Sequence, residues 1–69
     1  MIQKGSNVQW KWGQGIAQGK VQETYAEEVT RTLGGSKVTR LGAQGNKALL
    51  IEQQDGSQVL KLESEVKKA

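Results

Sequence analysis

The sequence feature that most restricts the fold is a succession of short β-type stretches separated by glycine turns. Val8, Trp10 and Trp12 alternate with polar residues, which is the pattern of a strand with one buried face. Gly13 and Gly15 end that stretch and favour a turn, because glycine reaches backbone conformations that other residues avoid. The chain has no proline, so glycines mark the turns. The β-type stretches are residues 8–12, 16–25, 29–33, 36–41, 47–53 and 58–62, from which we predict about five strands.

The middle of the chain predicts a β-hairpin. Residues 29–33 and 36–41 are rich in β-branched side chains and flank the dipeptide Gly34-Gly35. The loop can hold two or three residues, and that number decides whether Arg31 and Arg40 share a face of the hairpin. The sequence leaves both registers open.

The second half of the chain supplies two further strands and a polar end. The strand over residues 47–53 is apolar on both faces at its centre, which predicts a central position in the sheet. Leu50 and Leu62 fall on the face opposite the main core, and we expect them to be exposed. Gly19 interrupts the long second strand and predicts a bulge or a sharp bend. The end of the chain, residues 62–69, is mostly polar from Glu63 onward and predicts a short helical turn or a frayed tail.

The length of the chain limits the architecture. A single domain over residues 1–69 is expected, since a chain of this size is near the lower limit for an independent core. A flat sheet of five short strands would leave an apolar face in water, whereas a curled sheet encloses it. We therefore predict an all-β fold, a small five-stranded SH3-like barrel. Its predicted core consists of Val8, Trp10, Val21, Leu49, Ile51 and Leu60.

An ordered series of motifs along the chain resembles a known family. Residues 4–15 are Lys-Gly-Ser-Asn-Val-Gln-Trp-Lys-Trp-Gly-Gln-Gly; then come Gly19-Lys20-Val21, two Val-Thr-Arg arms around Gly34-Gly35, and Asp55-Gly56. In this order the motifs resemble the small bacterial and fungal family labelled hypervirulence-associated, which is described as a Tudor-like domain. The resemblance extends over nearly the whole chain. It implies a Tudor-like SH3 barrel and no established biochemical role.

The chain departs from that family at one point that bears on ligand binding. Many members look like Asp-Pro-x-Tyr at the entry to the fourth strand, whereas residues 45–49 are Gly-Asn-Lys-Ala-Leu. A methyl-lysine cage needs several aromatic rings around one cation. The aromatic residues here are Trp10, Trp12 and Tyr25, and at least one tryptophan is needed to fill the core. We therefore expect no aromatic cage.

The composition argues against catalysis. No Cys and no His is present, which removes thiol and imidazole chemistry, disulfides and the usual zinc sites. The carboxylates are spread over turns and the tail, where solvation leaves them ordinary. We expect a protein that is not an enzyme, with no catalytic residue, no metal site and no cofactor.

The sequence offers no targeting or membrane signal. Residues 1–5 lack the apolar segment of a signal peptide. The longest apolar run, Ala48–Ile51, is far too short to span a bilayer. We expect a cytoplasmic protein that does not enter the membrane.

The leading functional hypothesis is a small binding module that contacts nucleic acid weakly through a basic strand face. The net charge of +3 permits such contact without requiring it, because ordinary solvated strands carry similar charges. Trp12 and Tyr25 are the candidates for stacking on bases, and Lys20, Arg31 and Arg40 are the candidates for contacting phosphates.

A protein partner is the alternative. Strand edges pair readily with another chain, and exposed apolar residues often mark an interface. The domain would then bind another protein, or a second copy of itself as a homo-oligomer, through a strand edge or an apolar patch. Salt separates the hypotheses, since phosphate contacts weaken steeply as salt rises and apolar contacts do not.

Overall fold

The computed structural model describes residues 2–69, and its secondary structure is almost entirely β. Within residues 2–69, six strands of five or more residues coincide with the six β-type stretches of the sequence, and there is no α-helix. The all-β prediction is confirmed. The elements are β1 Asn7–Trp12, β2 Gly15–Tyr25, β3 Glu28–Leu33, β4 Ser36–Leu41, β5 Ala48–Gln53, β6 Gln58–Leu62, a 3-10 helix Glu63–Glu65, and β7 Lys67–Lys68.

The strands form two separate antiparallel sheets. Among residues 2–69, the larger sheet has five strands in the order β6-β5-β2-β1-β7, and β3 pairs with β4 in the smaller one. The main sheet has five strands, but its membership differs from the predicted one, because β3 and β4 lie outside it and β7 takes a place at its edge. In the described part of the chain, hydrogen bonding leaves β6 and β7 as edges, so the barrel is not closed by a strand ladder.

Glycines lie in the two-residue turns of the β1–β2 and β3–β4 hairpins. Gly13 has a φ of +57° at the first position of the β1–β2 turn, as a type II′ turn requires. Gly34 and Gly35, with φ of +58° and +83°, form a two-residue type I′ turn between Leu33 and Ser36. This loop length settles the register that the sequence left open. Arg31 and Arg40 lie on the same face of the β3–β4 hairpin.

The irregularity predicted at Gly19 lies elsewhere. The register shifts between Val21 and Glu23, which makes Gln22 the extra residue of a β-bulge. Gly19 is required for a different reason. A Cβ built there would collide with the side chain of Ile51 and lie 2.7 Å from the carbonyl oxygen of Glu52, so only glycine lets β2 approach β5 this closely.

The core lies on the inner face of the main sheet. Its buried cluster contains Val8, Trp10, Val21, Leu49 and Ile51, all of which the sequence predicted. Trp10 is only 6% exposed, so it is the tryptophan that fills the core. The cluster also contains Val66, which the sequence did not predict. No helix in residues 2–69 is long and apolar enough to cross a membrane.

The outer face of the sheet carries a second buried patch. Leu60 is buried as predicted, but it pairs with Leu50 on the face opposite Ile51. The prediction that Leu50 is exposed is wrong, since it is 8% exposed, and Leu62 is half-buried. The physical reason is the β3–β4 hairpin, which packs against β6 and shields this part of the outer face.

The end of the chain is ordered through residue 69. The predicted helical turn is present as the 3-10 helix, whose Glu65 carboxylate accepts a 2.8 Å hydrogen bond from the Leu62 N–H. Val66 then enters the core, and β7 pairs with Val8 and Gln9 of β1. The tail is therefore held by the barrel and is not frayed.

Candidate functional site

The five predicted nucleic-acid residues lie in three separate places. Lys20 is exposed on the outer face of β2, opposite Asn7. Trp12 is 72% exposed at the end of β1, on the same side of the strand as Trp10. Tyr25, Arg31 and Arg40 lie together with the β3–β4 hairpin. The structure therefore does not bring these residues together on one surface.

The guanidinium of Arg31 lies over the ring of Tyr25. Its guanidinium carbon lies 5.5 Å from the ring centroid, and its terminal nitrogen donates a hydrogen bond to the Tyr25 hydroxyl. Strict alternation would put Tyr25 on the same face as Val21, but the bulge at Gln22 shifts it to the outer face beneath the hairpin. Tyr25 therefore has a partner within the chain where a base would otherwise stack.

Arg40 is also engaged within the chain. Its Nε lies 3.4 Å from Oε1 of Glu65 in the 3-10 helix, and both side chains are partly exposed. The same carboxylate oxygen accepts the hydrogen bond from Leu62 N–H. This contact ties the hairpin to the end of the barrel, and it balances the charge of Arg40.

A different set of basic residues shares one exposed surface. We call it the basic face: the outer side of β7, β1 and the first half of β2. Register places Lys67 beside Gln9, Lys11 two residues further along β1, and Lys20 beside Asn7. All three lysines are exposed, and within residues 2–69 none of them forms an ion pair. The face consists of Asn7, Gln9, Lys11, Ile16, Gln18, Lys20 and Lys67.

Strand geometry spreads the three positive charges over the face. The Cα atoms of Lys11 and Lys67 are about 8 Å apart, and those of Lys11 and Lys20 about 14 Å, from a rise of about 3.4 Å per residue. Amide side chains occupy the positions between them. Lys67 was not among the predicted residues, because only the pairing of β7 with β1 brings the tail to this face.

Acidic residues border the basic face on the β5 side. Glu52 lies opposite Lys20 in the sheet, outside ion-pair distance. Asp55 lies in the β5–β6 turn, near Ile16 and Gln18. The hydroxyl and the backbone N–H of Ser57 donate hydrogen bonds to Asp55, and these bonds lower the pKa of its carboxyl below the ordinary value of 3.8. Asp55 is therefore ionised at neutral pH and limits the positive surface on that side.

A groove runs along the unpaired end of β1. It has a volume of about 530 Å³ and separates β1 and the β1–β2 turn from residues 64–67. Trp10, Ile16 and Val66 provide its apolar lining, and Lys11 and Lys67 lie on its rim. Trp12 and Ile16, exposed by 72% and 65%, flank the same turn. Within residues 2–69 no group of three or more acidic side chains could hold a metal ion.

Comparison with known proteins identifies the family. The model of the hypervirulence associated proteins TUDOR domain matches residues 5–66. Neither the curated proteins nor the solved structures include a match to the chain. Tudor-like domains are small binding folds and are generally not catalytic. The match includes all of β1 to β6 and the 3-10 helix, so the chain belongs to the family of the hypervirulence associated proteins TUDOR domain.

Proposed function

We propose that this domain is a non-enzymatic binding module that contacts nucleic acid weakly through its basic face. The observation that supports the proposal is that Lys11, Lys20 and Lys67 are exposed on one face and lie in no ion pair among residues 2–69. Lysine ammonium groups contact phosphates without reading sequence, and neighbouring amide side chains add hydrogen bonds to phosphate and sugar.

The basic face favours phosphate contact over base recognition. It carries no aromatic side chain, since Trp12 projects from the opposite side of β1 and Tyr25 lies at the far end of β2, beneath Arg31 of the hairpin. Without an aromatic ring to stack on, an unpaired base contributes little binding free energy at this surface. We therefore expect binding that is weak, strongly salt-dependent and insensitive to sequence, with Trp12 outside the footprint.

A titration of the isotope-labelled domain with short RNA and DNA tests the proposal. At low salt, chemical shifts of Lys11, Lys20 and Lys67 should change. Three phosphate contacts on a single strand predict that affinity falls about twentyfold between 50 mM and 200 mM salt, from a slope of about 0.7 per contact. An absence of shift changes at low salt would overturn the proposal.

Two matched variants separate local contact from net charge. Lys20→Glu and Lys37→Glu lower the net charge equally, and both residues are exposed. Lys20 lies on the basic face, whereas Lys37 lies on the hairpin. We expect Lys20→Glu to weaken binding more than Lys37→Glu. Equal losses would show that only the overall charge attracts nucleic acid.

A further inference from the structure

The edge of β1 that faces away from β2 is covered at Asn7 and Gln9 and open at Lys11. β7 begins at Lys67 opposite Gln9 and runs past Val8, and the Asn7 carbonyl accepts a 2.9 Å hydrogen bond from Ala69 N–H. Backbone groups alternate in direction along an antiparallel strand, so Asn7, Gln9 and Lys11 all direct theirs away from β2. Beyond Gln9, no strand within residues 2–69 pairs with this edge. The N–H and C=O of Lys11 are thus open for pairing.

The open edge differs in chemistry on its two sides. Lys11 and Lys67 lie on the outer side, while the exposed Trp12 lies on the inner side, where Trp10 is buried in the core. Glu65, the acidic residue that lines the groove, already forms an ion pair with Arg40 and accepts a hydrogen bond from Leu62 N–H. Alternate side chains of a strand placed against this edge would point to opposite sides. One set would lie near the positive charges on the outer side, and the other set near the aromatic surface on the inner side.

We propose that the open edge of β1 binds an extended segment of a partner protein, in which acidic and apolar residues alternate. The segment adds as a strand beside Lys11 and lies along the groove between β1 and residues 64–67. An acidic residue directly opposite Lys11 exchanges both backbone hydrogen bonds with it and places its carboxylate on the same face as the two lysines.

The same geometry disfavours a second copy of this chain as the occupant. Two β1 strands pairing antiparallel about their Lys11 residues would place the two ammonium groups directly opposite each other. Like charges in that position destabilise a strand pair. The chemistry of the edge therefore selects a partner of opposite charge.

A synthetic octapeptide of alternating glutamate and valine, with blocked ends, tests this inference. On binding, amide hydrogen exchange at Lys11 should slow, because its N–H becomes hydrogen-bonded. Two N-methylated versions give the decisive comparison. Methylation of the glutamate nitrogens removes the donors that face Lys11 and should abolish binding, whereas methylation of the valine nitrogens should leave it intact. Equal binding of both versions would overturn the proposal.

Charge reversal gives a second, independent test. The Lys11→Glu variant should bind the glutamate peptide about threefold more weakly, in keeping with a cross-strand charge pair. It should also gain affinity for a peptide in which lysine replaces glutamate. Lys37→Glu, on the hairpin, should change neither affinity beyond the effect of net charge. An unchanged preference in Lys11→Glu would overturn the proposal.

The remaining outcomes assign the edge to another occupant and so refute the proposal. Protection of Lys11 that grows with protein concentration in the absence of peptide would indicate self-association. Protection by single-stranded RNA but not by the peptide would assign the edge to nucleic acid. The peptide comparison is independent of the RNA titration, so either proposal can fail while the other stands.

Discussion

The main sheet and the β3–β4 hairpin are built from similar residues but are held together in different ways. The nine apolar side chains that are buried among residues 2–69 all belong to the main sheet and the tail that follows it, and the hairpin contributes none. Val29, Leu33 and Val38 of the hairpin are only half-buried. The hairpin is instead attached by the cation–π contact of Arg31 with Tyr25 and by the ion pair of Arg40 with Glu65. It also packs against β6. The difference indicates that the sheet determines whether the domain folds, while the hairpin covers part of its outer face.

The sharpest contrast is expected between the two tryptophans of β1. Trp10→Ala should destabilise the domain by about 3–5 kcal/mol, the cost of truncating a large buried aromatic, which is enough to unfold a chain of this size. Trp12→Ala should change the free energy of unfolding by less than about 0.5 kcal/mol, because the side chain is exposed. Denaturant unfolding measures both. A stable, cooperative Trp10→Ala variant would contradict the assignment of the core to the main sheet.

A smaller effect is expected at the junction between the hairpin and the sheet. A Cβ added to Gly42 would collide with the carbonyl oxygen of Tyr25 and lie 2.8 Å from the Ala48 nitrogen. Gly42→Ala should therefore cost about 1–3 kcal/mol, since neither backbone can move away freely. Gly15→Ala is the matched control, because its Cβ would meet nothing nearer than 3.9 Å. Similar unfolding midpoints for the two variants would mean that the junction is more adaptable than its packing indicates.

The smallest expected effect concerns the attachment of the hairpin itself. Arg31→Ala removes the guanidinium from Tyr25, a contact worth about 0.5–1 kcal/mol at an exposed site. Hairpin amides should then exchange with solvent about two- to fivefold faster, while those of β2 and β5 stay unchanged. Lys37→Ala, which removes an exposed cation of the same hairpin, should leave the rates unchanged. Parallel acceleration in β2 and β5 would show that hairpin and sheet open as one unit.

Local pattern was a reliable guide to the strands and to the inner core. Alternation at Val8, Trp10 and Trp12 predicted β1, and paired glycines predicted the β3–β4 hairpin. The same alternation led to a wrong prediction at Leu50, because the face opposite the core was expected to be exposed to solvent. Period-two alternation assigns residues to faces, but it does not say whether a distant element covers a given face.

The candidate site was less predictable than the core. Lys20 was correctly expected on an exposed strand, yet Arg31 and Arg40 were grouped with it only because they are basic. Lys67 was missed, since its sequence neighbourhood resembles a solvated tail. A surface is assembled from residues far apart in the chain, so the positions of its members depend on which strands pair.

By itself, the sequence determined the class of the fold, most strand boundaries, the glycine turns and the tryptophan that fills the core, because each follows from contacts or conformations within a few residues. The tertiary structure alone decided that the hairpin stands outside the main sheet, that a bulge at Gln22 moves Tyr25 beneath it, and that β7 brings Lys67 beside Lys11. These features are contacts between elements that lie far apart in the chain. Each depends on the free energy of burying one element against another, which no local pattern of residues encodes.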